Sequence, residues 1–195
     1  MEKMTVENRF YTADRKEWRK WLSEHYETEK EIWLVYPNKG AGELSLLYND
    51  AVEEALCFGW IDSTIRTIDA NHRAQRFTPR RKGSPYSRPN IERLIWLDRH
   101  DMIYPKIRPS VLELITTPYQ FPTDIIGALQ TDSEVWDFFN RQTESYRRIR
   151  IAYINDARRR PEEFHRRLGN FIAKTKAGKL IKGYGGIDKY YNIYI

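Results

Sequence analysis

Cysteine is almost absent from this sequence of 195 residues, and the single thiol, Cys57, limits the chemistry available to the chain. One cysteine cannot form a disulfide within the chain and cannot build a cysteine-based zinc site. Because Cys57 lies in the apolar run 55–58 of a predicted helix, we interpret it as a buried packing residue rather than a nucleophile.

Long apolar runs and recognisable reaction motifs are also missing. No run reaches the length of a membrane span and the N-terminus has no signal-peptide pattern, so we expect a cytoplasmic protein. The four histidines are scattered without metal-ligand spacing, which argues against a metal site. No nucleophile elbow, P-loop or dinucleotide-binding turn occurs, so no cofactor is implied and no catalytic residue is recognised. The sequence leaves open whether the chain is an enzyme, and it gives no oligomeric state.

Acidic residues are missing from one segment, although the formal net charge of the chain is only +6. Residues 70–91 contain 6 basic and no acidic residues, whereas residues 1–69 contain 9 Lys and Arg against 14 Asp and Glu. Residues 141–182 are basic again, with 13 Lys and Arg against 4 Asp and Glu. This distribution predicts two basic segments that attract anions, behind a mildly acidic first third.

The pattern of apolar residues predicts an α+β N-terminal domain. Helices are expected over residues 13–26 and 48–58, a buried strand over 32–36, and a hairpin with strands over 60–69 and 73–78. A loop rich in Pro, Gly and Arg follows over 79–87, and a helix begins at Ser87 or Arg88. The expected architecture is a small, mainly antiparallel sheet with packed helices.

The segment 116–123, which contains Pro118 and Pro122, is the predicted domain boundary. Beyond it the chain is predicted to be helical, with Thr143 capping one helix and Pro161 opening another. We therefore predict an α+β domain over 1–117, a helical module over 118–183 and an irregular tail over 184–195.

The acid-free stretch and the strand before it predict an anion-binding site. Arginine presents a rigid fork of donors that suits phosphate or carboxylate, and the start of a helix adds backbone N–H groups. The alternative is that some of these arginines pair with acids of residues 1–69 and that the loop is merely solvated. The candidate ligand contacts are Trp60, Asp62, Arg66, Arg76, Arg80, Arg81, Ser84, Tyr86, Ser87 and Asn90.

Asp62 is predicted to share one strand face with Arg66, and the hairpin is expected to bring Arg76 alongside. A structural Asp–Arg pair is favoured, because a carboxylate held by arginines is a poor base at neutral pH. An enzyme that acts on a small anionic substrate through Asp62 is an alternative, and it requires a pocket that unites Asp62, Arg66 and Arg80.

A second alternative rests on the arginines of the C-terminal helices. A helix face of this charge can bind nucleic acid through backbone phosphates, although a solvated face opposite an apolar stripe is commoner. The arginines concerned are Arg147, Arg148, Arg150, Arg158, Arg159, Arg160, Arg166 and Arg167.

Four blocks of sequence carry a family resemblance: residues 31–35 (EIWLV), 51–63 (AVEEALCFGWIDS), 77–81 (FTPRR) and 86–90 (YSRPN). With them the chain resembles the YdeI/OmpD-associated family, also called bacteriocin-protection proteins. Residues from about 121 to 178 are similar to the OmdA-type helical module of that family. The resemblance implies a bacterial cytoplasmic protein linked to resistance to antimicrobial peptides or stress, and it supplies no catalytic residues. The leading hypothesis is a protein that binds an anionic small molecule or polymer through the Arg-rich loop.

Overall fold

The computed structural model describes residues 8–183, so the predicted tail over 184–195 lies outside the described residues. These residues form two compact units, one of residues 8–85 and 97–112 and the other of residues 86–96 and 113–183. The sequence-based division assigned residues 86–96 to the first domain, whereas here they group with the helical module. Within residues 8–183 the elements are β1 (Arg9–Tyr11), α1 (Arg15–His25), β2 (Ile32–Pro37), α2 (Tyr48–Cys57), β3 (Trp60–Thr67), β4 (His72–Pro79), α3 (Arg88–Arg99), α4 (Arg108–Thr116), α5 (Thr123–Gln130), α6 (Ser133–Asn140), α7 (Glu144–Asn155) and α8 (Pro161–Lys176).

The first unit contains a four-stranded sheet in the order β1-β2-β4-β3. Strand β2 pairs antiparallel with β4, and β4 pairs antiparallel with β3, while the short β1 pairs parallel with β2. The predicted α+β class and the mainly antiparallel sheet are confirmed. Strand β1 was not predicted, because three residues are too few to show a periodic pattern.

An irregularity in the β3–β4 pairing changes which side chains share a face. Asp62 lies opposite Phe77 in the register, but Arg66 lies opposite Ala74, with a β-bulge between Asp62 and Ile65. Phe77 and Ala74 are three positions apart on β4, and successive side chains of a strand alternate between faces. Asp62 and Arg66 therefore lie on opposite faces of the sheet, and the prediction that they share one was wrong.

The core of the first unit is aromatic. Trp18 of α1 is fully buried, its indole N–H donates to the carbonyl of Ala51 at 3.0 Å, and its ring meets the edge of Phe77 at 5.4 Å. Helix α1 thus packs on both α2 and the sheet. Trp60, the first residue of β3, is also fully buried, and its indole N–H donates to the carbonyl of Tyr26 at 3.1 Å.

The thiol of Cys57 lies in the same core and is fully buried. Burial raises the pKa of Cys57 to about 12, because a thiolate is poorly solvated there. We expect the native protein to react with a thiol reagent such as 5,5′-dithiobis(2-nitrobenzoate) at pH 8 at least about 100-fold more slowly than the unfolded chain, since only the thiolate attacks. Equal rates in native buffer and in guanidinium chloride would show that Cys57 is accessible.

The second unit is built from helices around its own core. Ile125, Leu129, Val135, Phe139 and Ile149 are among its buried residues, each at most 2% exposed. The predicted cap at Thr143 is confirmed, because its hydroxyl accepts the backbone N–H of Tyr146 at 3.3 Å. Helix α3 contributes residues 88–96 to this unit. Among residues 8–183, no helix is both long and apolar enough to cross a membrane.

Candidate functional site

Arg80 of the basic loop is used to hold the loop itself. Its guanidinium donates to the carbonyls of Ser84 at 3.2 Å and Pro85 at 2.9 Å, and its backbone N–H donates to Gly59 at 2.9 Å. Ser84 closes the same turn, since its N–H donates to the carbonyl of Arg81 at 3.1 Å. The Pro-bounded loop therefore has a fixed local geometry.

Arg66 and Arg76 lie together on the face of the sheet that Asp62 does not share. Arg76 pairs with Glu31, to which its Nε donates at 2.8 Å, and this bond holds the pKa of Glu31 below its usual range. The guanidinium of Arg66 lies 5.2 Å above the ring of Trp33, which is directly opposite Arg76 in the register. These contacts match the alternative in which arginines of the basic stretch meet acids of the first 69 residues.

The predicted ligand contacts at the start of α3 make hydrogen bonds within the helix. The carbonyl of Ser87 accepts the N–H of Ile91 at 3.1 Å, and Oδ1 of Asn90 accepts from Arg93 at 2.8 Å. Tyr86 just before them is half-buried. Ser87 itself is exposed, so it is the part of this segment that solvent reaches.

Arg81 and Lys82 differ from the other cations of the basic stretch. Both are exposed, and neither side chain has a hydrogen bond or ion pair with any of residues 8–183. Arg81 and Lys82 are therefore the cations of the predicted loop site that an anion could reach. Anion binding at this loop stays a prediction.

Asp62 is surrounded by neutral polar groups. Its Oδ2 accepts from the hydroxyl of Tyr48 at 2.8 Å and from the amide of Gln75 at 3.2 Å. The fold brings neither Arg66 nor Arg76 alongside it, because both point to the other face. The Asp–Arg pair expected from the sequence is therefore replaced by a hydrogen-bonded cluster with Tyr48 and Gln75. Trp60, two positions earlier on β3, is buried in the core.

The second unit contains a concave pocket that the sequence did not predict. Its volume is about 460 Å³, within the range of roughly 300–1,000 Å³ that is usual for small-molecule sites. The pocket is formed by α5, α6, α7 and the segment before α5. The residues that line it are Tyr119, Gln120, Phe121, Thr123, Ile126, Gln130, Trp136, Phe139, Asn140 and Arg147.

The walls of this pocket, which we call the aromatic pocket, are a connected set of rings. Trp136 stacks on Phe139 at 5.7 Å, Phe121 meets Phe139 edge-on at 6.4 Å, and Tyr119 meets Phe121 edge-on at 4.9 Å. Burial raises the pKa of Tyr119 above its ordinary value, and its hydroxyl, like that of any unperturbed tyrosine, is neutral at physiological pH. Rings held in this way give a rigid apolar surface.

Arg147 supplies the charge of the aromatic pocket. Its guanidinium carbon lies 5.8 Å above the ring of Phe139, and its Nε is buried without a hydrogen-bond partner among residues 8–183. None of the described residues that line the pocket is acidic. A buried donor without an acceptor is a cost in free energy to the folded protein.

A buried ion-pair cluster supports the wall formed by Tyr119. Glu92 of α3 accepts from Arg148 through both oxygens, at 2.7 and 2.8 Å, and also pairs with Arg88. Although burial alone would lower the pKa of Arg148, the bonds to Glu92 and Glu144 raise it overall, so Arg148 stays charged. The guanidinium of Arg88 lies 5.0 Å above the ring of Tyr119. The basic stretch thus contributes to this pocket through Arg88.

Three further C-terminal arginines are also in ion pairs within the second unit. Arg158 pairs with Asp124 at 2.9 Å, and Arg166 and Arg167 both pair with Glu163. Arg159 and Arg160 are exposed. These pairs reduce the charge that the helices present to a polyanion, and nucleic-acid binding stays a prediction.

Metal ligands are not grouped in the part of the chain that the structure describes, where no set of three or more His, Cys, Asp or Glu side chains could hold an ion.

Sequence reasoning missed the aromatic pocket for an identifiable reason. Tyr119 and Phe121 stand between Pro118 and Pro122, and this segment was interpreted as a boundary. Arg147 was counted with the basic helices. The signal that could have found them is the pair of aromatic residues in a segment expected to be a solvated connection.

Comparison with known families divides the chain near the predicted boundary over residues 116–123. A family model described as "Domain of unknown function (DUF8412)" matches residues 10–109, and one described as "Bacteriocin-protection, YdeI or OmpD-Associated" matches residues 118–178. No curated protein and no solved structure matches the chain. The resemblance predicted from the sequence is confirmed for the C-terminal part, whereas the blocks at 31–63 and 77–90 fall inside the first match. The chain therefore belongs to the DUF8412 family, and its C-terminal part carries a YdeI/OmpD-associated, bacteriocin-protection domain.

Proposed function

We propose that the aromatic pocket binds a small molecule that combines an apolar or aromatic body with one anionic group. The observation that carries the proposal is Arg147, whose guanidinium has no acidic neighbour among the lining residues and a buried Nε without an acceptor. A ligand carboxylate or sulfonate in the pocket pairs with the guanidinium of Arg147, and the rings of Trp136 and Phe121 receive the apolar body.

The polar lining adds selectivity for ligands with further acceptors or donors. Gln120, Gln130 and Asn140 offer amides, and Thr123 offers a hydroxyl, around a mainly apolar cavity. A few polar groups in an apolar pocket are what fixes the orientation of a small ligand. A nucleic-acid strand does not fit this arrangement, because a pocket with a single unpaired cation cannot follow a phosphate backbone.

The description of the C-terminal match adds a physiological hypothesis. In it, ligand binding in the aromatic pocket contributes to resistance against antimicrobial peptides. The Arg81–Lys82 tip of the basic loop is kept as a second candidate anion site, since both side chains are exposed and have no partner among residues 8–183.

The test uses two fluorescent probes that differ in one charged group, 8-anilinonaphthalene-1-sulfonate and the uncharged N-phenyl-1-naphthylamine. Arg147→Ala is expected to weaken sulfonate binding about 10- to 100-fold, because a hydrogen bond to a charged group is worth about 1.5–3 kcal/mol. Binding of the uncharged probe should stay within about twofold, since the rings are unchanged.

The matched control is Arg141→Ala, which removes an exposed arginine of the same unit that does not line the pocket. It is expected to leave both dissociation constants unchanged. Equal losses in the two variants, or sulfonate binding that ignores Arg147, would overturn the proposal.

A further inference from the structure

Three carboxamide side chains line the aromatic pocket: Gln120, Gln130 and Asn140. None of the three makes a hydrogen bond with any other of residues 8–183. Elsewhere in the same unit, the side chains of Gln142 and Asn155 are used within the fold, each in a hydrogen bond of 2.8 Å. The donors and acceptors of the three pocket amides are therefore available to a ligand.

These amides come from three separate stretches of chain. Gln120 lies in the segment before α5, Gln130 is the last residue of α5, and Asn140 is the last residue of α6. Each carboxamide places an NH₂ donor beside a carbonyl acceptor. The edges of nucleobases carry donors and acceptors side by side and are bound by Asn and Gln in this way, whereas a hydrocarbon body would leave the amides unused.

The rings of the pocket suit the flat face of a base. Phe139 is 2% exposed and backs the wall, whereas Trp136 and Phe121 are partly exposed. The ring planes of Trp136 and Phe139 are 24° apart, and that of Phe121 stands at 84° to Phe139. Bases stack on aromatic side chains whatever their identity, because every base has a π-face. A base stacked on one of these rings is within a pocket that also holds the amides.

The charge of the pocket suits one phosphate group. Arg147 is the one cation among the described lining residues, and none of them is acidic. Its guanidinium makes no hydrogen bond with any of residues 8–183. An arginine fork pairs well with a single phosphate, but further phosphates would carry charge that no lining residue balances.

A peptide with a C-terminal carboxylate also combines amide groups, rings and one negative charge. Peptide backbones are commonly bound by adding a strand to the edge of a sheet. The aromatic pocket is formed by α5, α6, α7 and the segment before α5, and no strand among residues 8–183 lines it. This construction favours a compact heterocycle over an extended peptide.

We propose that the aromatic pocket binds a nucleoside monophosphate, with the base against the rings and the carboxamides and the phosphate on Arg147. The inference rests on the proposed function and names the class of its ligand. The volume of about 460 Å³ lies in the range of small-molecule sites, so a single nucleotide is the expected occupant.

The test is displacement of 8-anilinonaphthalene-1-sulfonate from the whole chain by the 5′-monophosphates of adenosine, guanosine, cytidine and uridine. We expect at least one of them to compete with the probe, and its nucleoside to bind about 10-fold more weakly, because the charged hydrogen bond is lost. In the double variant Gln130→Met with Asn140→Leu, the nucleotide should bind about 10-fold more weakly. The dissociation constant of the probe should rise by no more than about twofold, because naphthalene rings do not use the amides.

The matched control is Gln142→Met with Asn170→Leu, which makes the same two exchanges in the same unit at positions that do not line the pocket. It is expected to bind the nucleotide like the wild type. Unchanged probe binding in both double variants also reports that the pocket is folded.

Three results would overturn this inference and leave the proposed function standing: no competition by any of the four nucleotides, equal losses in the two double variants, or tighter binding of N-acetylphenylalanine than of every nucleotide. The last result would assign the pocket to peptide carboxylates. Probe binding that ignores Arg147 would overturn the inference and the proposed function together.

Discussion

Replacing Arg15 with methionine is expected to lower the free energy of unfolding by about 3–5 kcal/mol, the cost of breaking a buried ion pair and leaving charge uncompensated. Arg15 lies between three carboxylates of α2: Asp50 at 2.8 Å, Glu53 at 3.1 Å and Glu54 at 2.5 Å. The side chains of Glu53 and Glu54 are 0% and 1% exposed. Without Arg15, Glu54 keeps its bond to Arg19 at 2.6 Å, whereas Glu53 loses its ion pair with Arg15.

The measurement is denaturant unfolding at pH 7, followed by circular dichroism. The matched control is Lys20→Met, at a position of the same helix that is 75% exposed and pairs only loosely with Glu24 at 4.0 Å. It should change stability by less than about 0.5 kcal/mol. A loss below about 1 kcal/mol at pH 7 would contradict the assignment of a buried network.

The second large effect is expected at Glu92, in the helical unit. Its side chain is 2% exposed and pairs with Arg88 and Arg148, which are 10% and 16% exposed. Glu92→Ala removes the carboxylate that Arg88 and Arg148 share. Although Arg148 keeps its bond to Glu144 at 2.6 Å, we expect a loss of about 3–5 kcal/mol. Because Arg88 lies over Tyr119, the same variant should also weaken binding of the anilinonaphthalene probes in the aromatic pocket.

A triple variant separates charge from packing at this cluster. Arg88→Met, Glu92→Leu and Arg148→Met together replace all three charges with apolar groups of similar size. Since the unpaired charge is what costs stability, the triple variant should recover most of the loss seen with Glu92→Ala. If it is as unstable as Glu92→Ala, packing rather than charge sets the cost. Arg158→Ala, which breaks the exposed pair with Asp124, should destabilise the protein far less than Glu92→Ala, because solvent screens an exposed ion pair.

Local patterns were enough to place most helices and strands. The predicted strand over 32–36 corresponds to β2, the helix over 48–58 to α2, and the hairpin over 60–69 and 73–78 to β3 and β4. These elements bury one face or one stripe, so the spacing of apolar residues reports them directly. Thr143 and Pro161 were likewise readable, because caps and first-turn prolines act within three or four residues.

The partners of charged side chains could not be predicted from local sequence patterns. Arg76 meets Glu31, 45 positions away, and Arg148 meets Glu92, 56 positions away. The β-bulge after Asp62 depends on how β3 pairs with β4, and nothing in β3 alone specifies it. The bulge places Asp62 and Arg66 on opposite faces of the sheet. The predicted enzyme site needed Asp62 beside arginines, and this geometry does not provide it.

The sequence by itself determined the α+β class, the helical C-terminal region with its YdeI/OmpD-associated character, and the excess of arginine in two segments. Only the tertiary structure decided which of those arginines are neutralised within the protein and which face a cavity. The physical reason is that composition fixes how many charges there are, whereas their distance from carboxylates and from solvent is set by packing between distant elements. Arg80 holds its own loop, Arg88 lies over a ring of the pocket wall, and Arg147 lines the aromatic pocket, where none of the described lining residues is acidic.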